Sequence, residues 1–429
     1  MSIAIFVIII DTSLIKIYDF ITSQSTSTWR TTVFIIISAI CAILQYIILR
    51  FVKQKNNEIG TKEKLHLNTI HKIVTIVQYT LTTILVFVIL QIFLGQYYNV
   101  AMLTAAVTIS YMLTVIMMGI LSQRFFSWFK SNRSSVVLLY GLSSTTLAIN
   151  AGFTVVLVCL ILLGKPQVSV PHVGANFPAL IPGSIINILN QMYTISSIVS
   201  FILTWVATAV LLHHYSQRLG RVKYWIIVVL PLVYFLSQFL SLFLNLLLPM
   251  LQSNPIFFAI LFTFIFSLSN AAGGIFFGIA FWTMAKSIKR SNIVRDYLAI
   301  SAYGIVILFI SNQAIILTSV PYPPFGVATI TFTGLASYLI LVGIYSSAIS
   351  VSQDVKLRQS IRKILVKESK LLDSIGTAEM QQEIQRRVMR ITKKHQGSME
   401  EETGVQSSLE EEDIKEYLDE VTQEIRAKK

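Results

Sequence analysis

The sequence predicts an all-α polytopic transmembrane helical bundle followed by a cytoplasmic helical tail, and two observations carry that prediction. Between Arg50 and Lys370 the clusters of Lys and Arg fall in alternate gaps between long apolar runs, and the runs themselves are almost free of charge. The 429 residues are 54% hydrophobic and 13% charged, with a mean hydropathy of +0.69, which lies outside the soluble globular range. The net charge of +13 does not point to nucleic acid: the part before Ser352 holds 19 Lys/Arg against five acids, while the part after it is nearly neutral, with 15 against 16. The excess belongs to the membrane part.

A hydrocarbon core about 30 Å thick needs about 20 apolar residues per helix, because unpaired backbone groups are not tolerated there. Nine runs meet this length: 31–51, 73–94, 100–121, 136–163, 186–212, 224–248, 256–285, 298–317 and 327–350. Lys53, Lys55, Lys62, Lys64 and Lys72 follow the first run. Arg124, Lys130 and Arg133 follow the third, Arg218, Arg221 and Lys223 the fifth, and Lys286, Lys289, Arg290 and Arg295 the seventh. The positive-inside bias makes these gaps, and the tail, cytoplasmic. The opposite gaps carry a single charge, Lys165, and face outward. The expected location is the plasma membrane.

The first 30 residues stand apart from the 31–351 bundle and the 352–429 tail. Ser2 to Ile10 is apolar, but Asp11, Lys16 and Asp19 interrupt the stretch and no basic start marks a signal peptide. A weak tenth helix and an interfacial segment fit equally well. Cys41 and Cys159 sit in separate runs without metal or redox spacing and read as packing residues.

An internal repeat is suggested when the third to fifth runs are laid on the seventh to ninth. Both second members carry an early Tyr-Gly pair, Tyr140-Gly141 and Tyr303-Gly304, then an amide, Asn150 or Asn312-Gln313. Both then exit through Ser169-Val170-Pro171 or Ser319-Val320-Pro321. This three-plus-one-plus-three plan is similar in topology to the parallel repeats of the SWEET sugar transporters; that resemblance implies passage of a neutral solute. The junction Ser350-Val351-Ser352-Gln353-Asp354 with Leu357-Arg358-Gln359 resembles uncharacterised multi-pass membrane proteins of archaea, a likeness that brings no activity with it.

The nine runs as delimited hold no Asp, Glu, Lys or His in their interiors, which argues against a proton-coupled pump. Their polar content is amide: Asn150, Gln238, Asn245, Asn270, Asn312 and Gln313. These residues either line a path for a weakly polar solute or bond helix to helix. Gly274 and Gly278 form a small-residue pair for close helix approach, and Gly273 beside Gly274 is a candidate break. No catalytic constellation, metal set or cofactor motif is present: His213 and His214 point about 100° apart on a helix, and the remaining histidines are scattered.

The tail reads as helix over 352–394, with an apolar stripe through Leu357, Ile361, Leu371, Leu372, Ile375, Met380 and Ile384. A polar linker from Gly397 to Ser408 follows, then two heptads with Ile414, Leu418, Val421 and Ile425 as an interaction face. The expected partners are the lipid bilayer and either a cytoplasmic protein or a second copy through the tail. The function expected is a non-enzymatic sensor or scaffold coupling bundle to tail; the alternative is a facilitator of a neutral solute, with a membrane enzyme third.

Overall fold

Long uncharged stretches leave the backbone no partner but itself, and the described residues form eleven α-helices. The computed structural model describes residues 1–21, 27–57, 64–95, 97–163, 167–169, 183–213, 220–239, 254–288, 292–319, 322–353 and 370–403. The helices are α1 (Ser2–Ile21), α2 (Ser27–Asn56), α3 (Lys64–Gly95), α4 (Val100–Ser131), α5 (Ser135–Leu162), α6 (Ile185–Leu212), α7 (Arg221–Ser237), α8 (Pro255–Ser287), α9 (Asn292–Ser311), α10 (Val327–Gln353) and α11 (Lys370–Thr403). Among the described residues eight of them are long and apolar enough to cross a membrane. The run expected at 224–248 is represented by α7, which is kinkable at its internal Pro231; the rest of that run, Asn245 included, lies outside the described residues.

Helix α10 is the axis of the bundle. It packs against α1, α2, α3, α4 and α9, and its membrane-length window is buried throughout. Its sequence explains how so many neighbours fit. Gly343 lies against Ser301 and Tyr297 of α9, where an added Cβ would stand 2.5 Å from the Tyr297 carbonyl oxygen; at Gly334 it would stand 2.9 Å from that of Ser110 on α4. Small residues at these crossings let backbones approach, the packing mode open to helices that gain no hydrophobic drive from one another in lipid. Two α10 hydroxyls bond within the helix, Ser337 to the Thr333 carbonyl at 2.9 Å and Ser347 to that of Gly343 at 2.7 Å, and so enter an apolar surround with their donors met.

At one end, β1 (Tyr97–Asn99) and β2 (Gln167–Ser169) form an antiparallel pair that ties the α3–α4 connection to the segment after α5. The other end carries Lys53 and Lys55 on α2, Lys130 on α4 and the start of α11.

Two expectations are revised, the run 298–317 and the linker after residue 397. The N-terminal segment, open between a weak extra helix and an interfacial segment, is helix α1, which packs on α2, α8, α9 and α10 with Ala4, Val7, Ile8 and Asp11 buried. The run 298–317 is not one helix: α9 stops at Ser311, Asn312 and Gln313 are non-helical, and a 3-10 turn occupies Ala314–Ser319. Gly273-Gly274 is open in sequence to close packing or to a break, and α8 runs continuously through it. Gly273 faces Phe201 of α6, while Gly274 and Gly278 face Phe309, Val306 and Ala302 of α9, so these positions are occupied by neighbouring helices. Finally, α11 continues to Thr403, into the stretch read as linker; one Gly costs a helix only about 1 kcal/mol, and Met399, Glu400 and Glu401 are good helix formers. The face Ile414, Leu418, Val421 and Ile425 lies outside the described residues.

Candidate functional site

The interruption after α9 is where the amides meet. A helix that stops inside a bundle frees backbone groups that must find partners, and the side chains around Asn312 supply them. The Tyr111 hydroxyl of α4 donates to Asn312 Oδ1 at 2.9 Å and accepts from the Ala314 backbone N–H at 3.3 Å. Asn312 Nδ2 donates to Asn150 Oδ1 of α5 at 3.4 Å, and Asn150 Nδ2 donates to the Tyr193 carbonyl at 3.2 Å and to Ser196 Oγ at 2.9 Å, both on α6. Four elements thus converge on uncharged donors and acceptors near the middle of the spans. Of the six amides singled out in the sequence, Asn150 and Asn312 are joined, and Gln313 is buried beside them. Gln238 caps the C-terminus of α7 and Asn270 lies on α8, both half-buried and neither in the cluster.

A second set runs down the face of α10 that meets α1, α2 and α3. Asp11 is fully buried, and its Oδ2 accepts from the backbone N–H groups of Gly326 and Thr329, each at 3.2 Å, and from the Thr329 hydroxyl at 2.6 Å. A carboxylate from α1 therefore caps the N-terminus of α10, where free N–H groups and the helix dipole both favour negative charge. Among the described residues Asp11 Oδ1 has no partner. Further along, Gln45 of α2 donates to the Thr331 hydroxyl and Gln78 of α3 to the Thr331 carbonyl at 3.1 Å. Beyond them His71 Nδ1 lies 2.9 Å from the Tyr338 hydroxyl, which also accepts from Asn56 Nδ2 at 3.4 Å. Pairing at both levels makes α2 and α3 antiparallel about α10. Asp11 and His71 fall outside the nine apolar runs yet are buried in the bundle, which corrects the expectation of an interior without ionisable groups.

The third set holds α11 to the bundle. Glu379 is buried to 1% exposure, and it accepts from the Trp128 indole N–H of α4 at 2.7 Å and from Arg386 at 2.7 Å. Burial works against the Arg386 charge, but the Glu379 carboxylate outweighs it and raises the guanidinium pKa above its ordinary value, so the pair is ionic. Gln382 donates to Ser127 Oγ at 2.9 Å and Ser131 Oγ at 3.1 Å, and Asn132 donates to the Ser374 carbonyl at 3.3 Å. Leu371, Leu372, Ile375 and Ala378 are buried beneath these contacts, and Gly376 lies against Val351 near the end of α10. Trp128 also stacks on Tyr345 of α10 at 6.5 Å between ring centroids. Leu371, Leu372 and Ile375 of the tail's apolar stripe are thus used within the chain, while Ile384 and Ile391 further along α11 are exposed; Leu357 and Ile361 lie outside the described residues.

Sequence reasoning passed over Asp11, Gln45, Gln78, His71, Trp128 and Glu379. For Asp11 a signal existed: an acid interrupting an otherwise apolar N-terminal stretch. No group of three or more metal-ligating side chains occurs among the described residues. No family model, curated protein or solved structure matches the chain.

Proposed function

We propose that the protein is a non-enzymatic membrane sensor or scaffold of the plasma membrane, in which the state of the bundle is passed through α10 to a cytoplasmic helical tail. The observation that supports this reading is the seat of α11: the Trp128 indole of α4 donates to the buried Glu379, Gln382 bonds Ser127 and Ser131 of α4, and Gly376 lies against Val351 of α10, at the ends of those helices that the reading makes cytoplasmic. Any displacement of α10 against α4 alters the Trp128–Tyr345 stack and the Glu379 contacts together. The face of α11 with the exposed Ile384 and Ile391, and the residues beyond it, are then the output, offered to a soluble protein or a second copy of the chain.

The test is capture of bound proteins in mild detergent with the full chain, the chain ended after Val351 and a Glu379→Ala variant. The reading predicts a soluble partner, or self-association, that requires the tail and changes in yield when Glu379 is lost. Passage of a neutral solute is the second reading, favoured by the interrupted element at Asn312. Under it, flux into liposomes survives removal of the tail and falls on Asn312→Leu.

A further inference from the structure

The groove between α2 and α3 at the basic end of the bundle has the chemistry of an anionic-lipid site. Antiparallel packing brings the C-terminal turns of α2 beside the N-terminal turns of α3 and leaves a cavity of about 720 Å³ between them. Arg50, Lys53 and Lys72 line its mouth, all three exposed. Deeper in the span the walls are Tyr46, Ile76 and Tyr79, exposed by 51%, 65% and 55% on the outer surface of the bundle. The two helix faces therefore grade in the same direction, from three cations at the membrane edge to aromatic and aliphatic surface within it.

Charge compensation sets this groove apart from the basic residue next to it. Lys55 is bridged to Asp296 at 2.9 Å, whereas among the described residues no carboxylate pairs with Arg50, Lys53 or Lys72. Three cations that no described carboxylate pairs, around a concavity at the bilayer edge, attract a phosphate, and continuous apolar surface below them suits the acyl chain that a lipid phosphate carries. Basic pockets between membrane helices at this level bind lipid headgroups by the same combination. The floor of the cavity is His71, whose ring reaches the Tyr338 hydroxyl of α10 at 2.9 Å, so an occupant lies one side chain from the central helix.

We infer that this groove binds the phosphate headgroup of an anionic phospholipid, with Arg50, Lys53 and Lys72 on the phosphate and the Tyr46–Tyr79 walls along the upper acyl chain. The inference does not depend on the sensor reading, because it concerns binding alone. The experiment is native mass spectrometry of the full-length protein in neutral detergent, titrated with phosphatidylglycerol, with phosphatidylcholine, and with inorganic phosphate. The expected result is retention of phosphatidylglycerol in preference to phosphatidylcholine, and about 100-fold weaker retention in the Arg50→Gln/Lys53→Gln/Lys72→Gln variant, from roughly fivefold per cation. Tyr79→Ala is expected to weaken phosphatidylglycerol while leaving inorganic phosphate unchanged. If inorganic phosphate binds as well as the lipid, the site is one for a free anion and the lipid assignment fails. Equal retention of the two lipids by the unaltered protein, or undiminished phosphatidylglycerol retention in the triple variant, overturns the proposal. Should the triple variant not fold, Lys53→Glu alone gives the same reading against the unaltered chain.

Discussion

Asp11 and Glu379 are the two acids buried among the described residues, and they lie against opposite halves of α10. Among the described residues Asp11 has no cation: its Oδ2 is met by two backbone N–H groups and a hydroxyl at a helix start. Glu379 has a guanidinium and an indole, with Arg386 still 45% exposed. The difference follows from depth. Within the bundle a full counter-ion would itself have to be desolvated, at a cost of several kcal/mol, so a ring of fixed dipoles serves better. At the bundle's end Arg386 keeps part of its hydration, and an ion pair is affordable there. One acid fastens the first helix to the central one, and the other fastens the tail.

Four substitutions break or sharpen that contrast. Asp11→Leu should have the largest effect, lowering stability by about 3 kcal/mol, since two N–H groups at the start of α10 lose their acceptor inside the bundle; thermal unfolding in detergent measures it. Asp11→Asn keeps an acceptor and should cost under about 1 kcal/mol, so equal losses in the two variants would show that the charge, and not the cap, matters. Glu379→Ala should loosen α11 by about 2 kcal/mol while leaving the spans folded, because Arg386 regains water and only the Trp128 donor is stranded. Limited proteolysis reads this as faster cleavage within 370–403, and unchanged cleavage would mean that the apolar seat of Leu371, Leu372 and Ile375 holds α11 unaided. Trp128→Phe removes one hydrogen bond and keeps most of the ring, for a smaller loosening of about 1 kcal/mol in the same assay.

The long helices were legible because hydropathy and length suffice to identify a span, and the gathering of Lys53, Lys55 and Lys130 at one end agrees with the pattern of charged gaps. Hydropathy could not tell α6 from α10. Their mean values are 2.2 and 1.9, yet 39% of one window is buried and all of the other. The distinction lies in Thr329, Thr331, Thr333, Gly334, Ser337 and Gly343, small and hydroxylated residues that mark a helix surrounded by protein. The Asn312 interruption was hidden because two amides in an apolar run look the same whether they bond across helices or end one. The partner of Asp11 could not be read at all, being 315 residues away at Gly326. The stripe on α11 was visible, but a stripe does not say which surface it covers.

Enclosure of α10 also bears on assembly. Chains are made from the N-terminus, and the helix at the middle of this bundle is the last of the membrane-length helices to be synthesised. Helices α1 to α4 and α9 must therefore remain parted along a seam until it arrives, with Gln45, Gln78 and Ser110 facing that seam unsatisfied. Completion of the fold is then a single late insertion, and a chain interrupted before Val327 leaves an open, polar-lined trough in the bilayer.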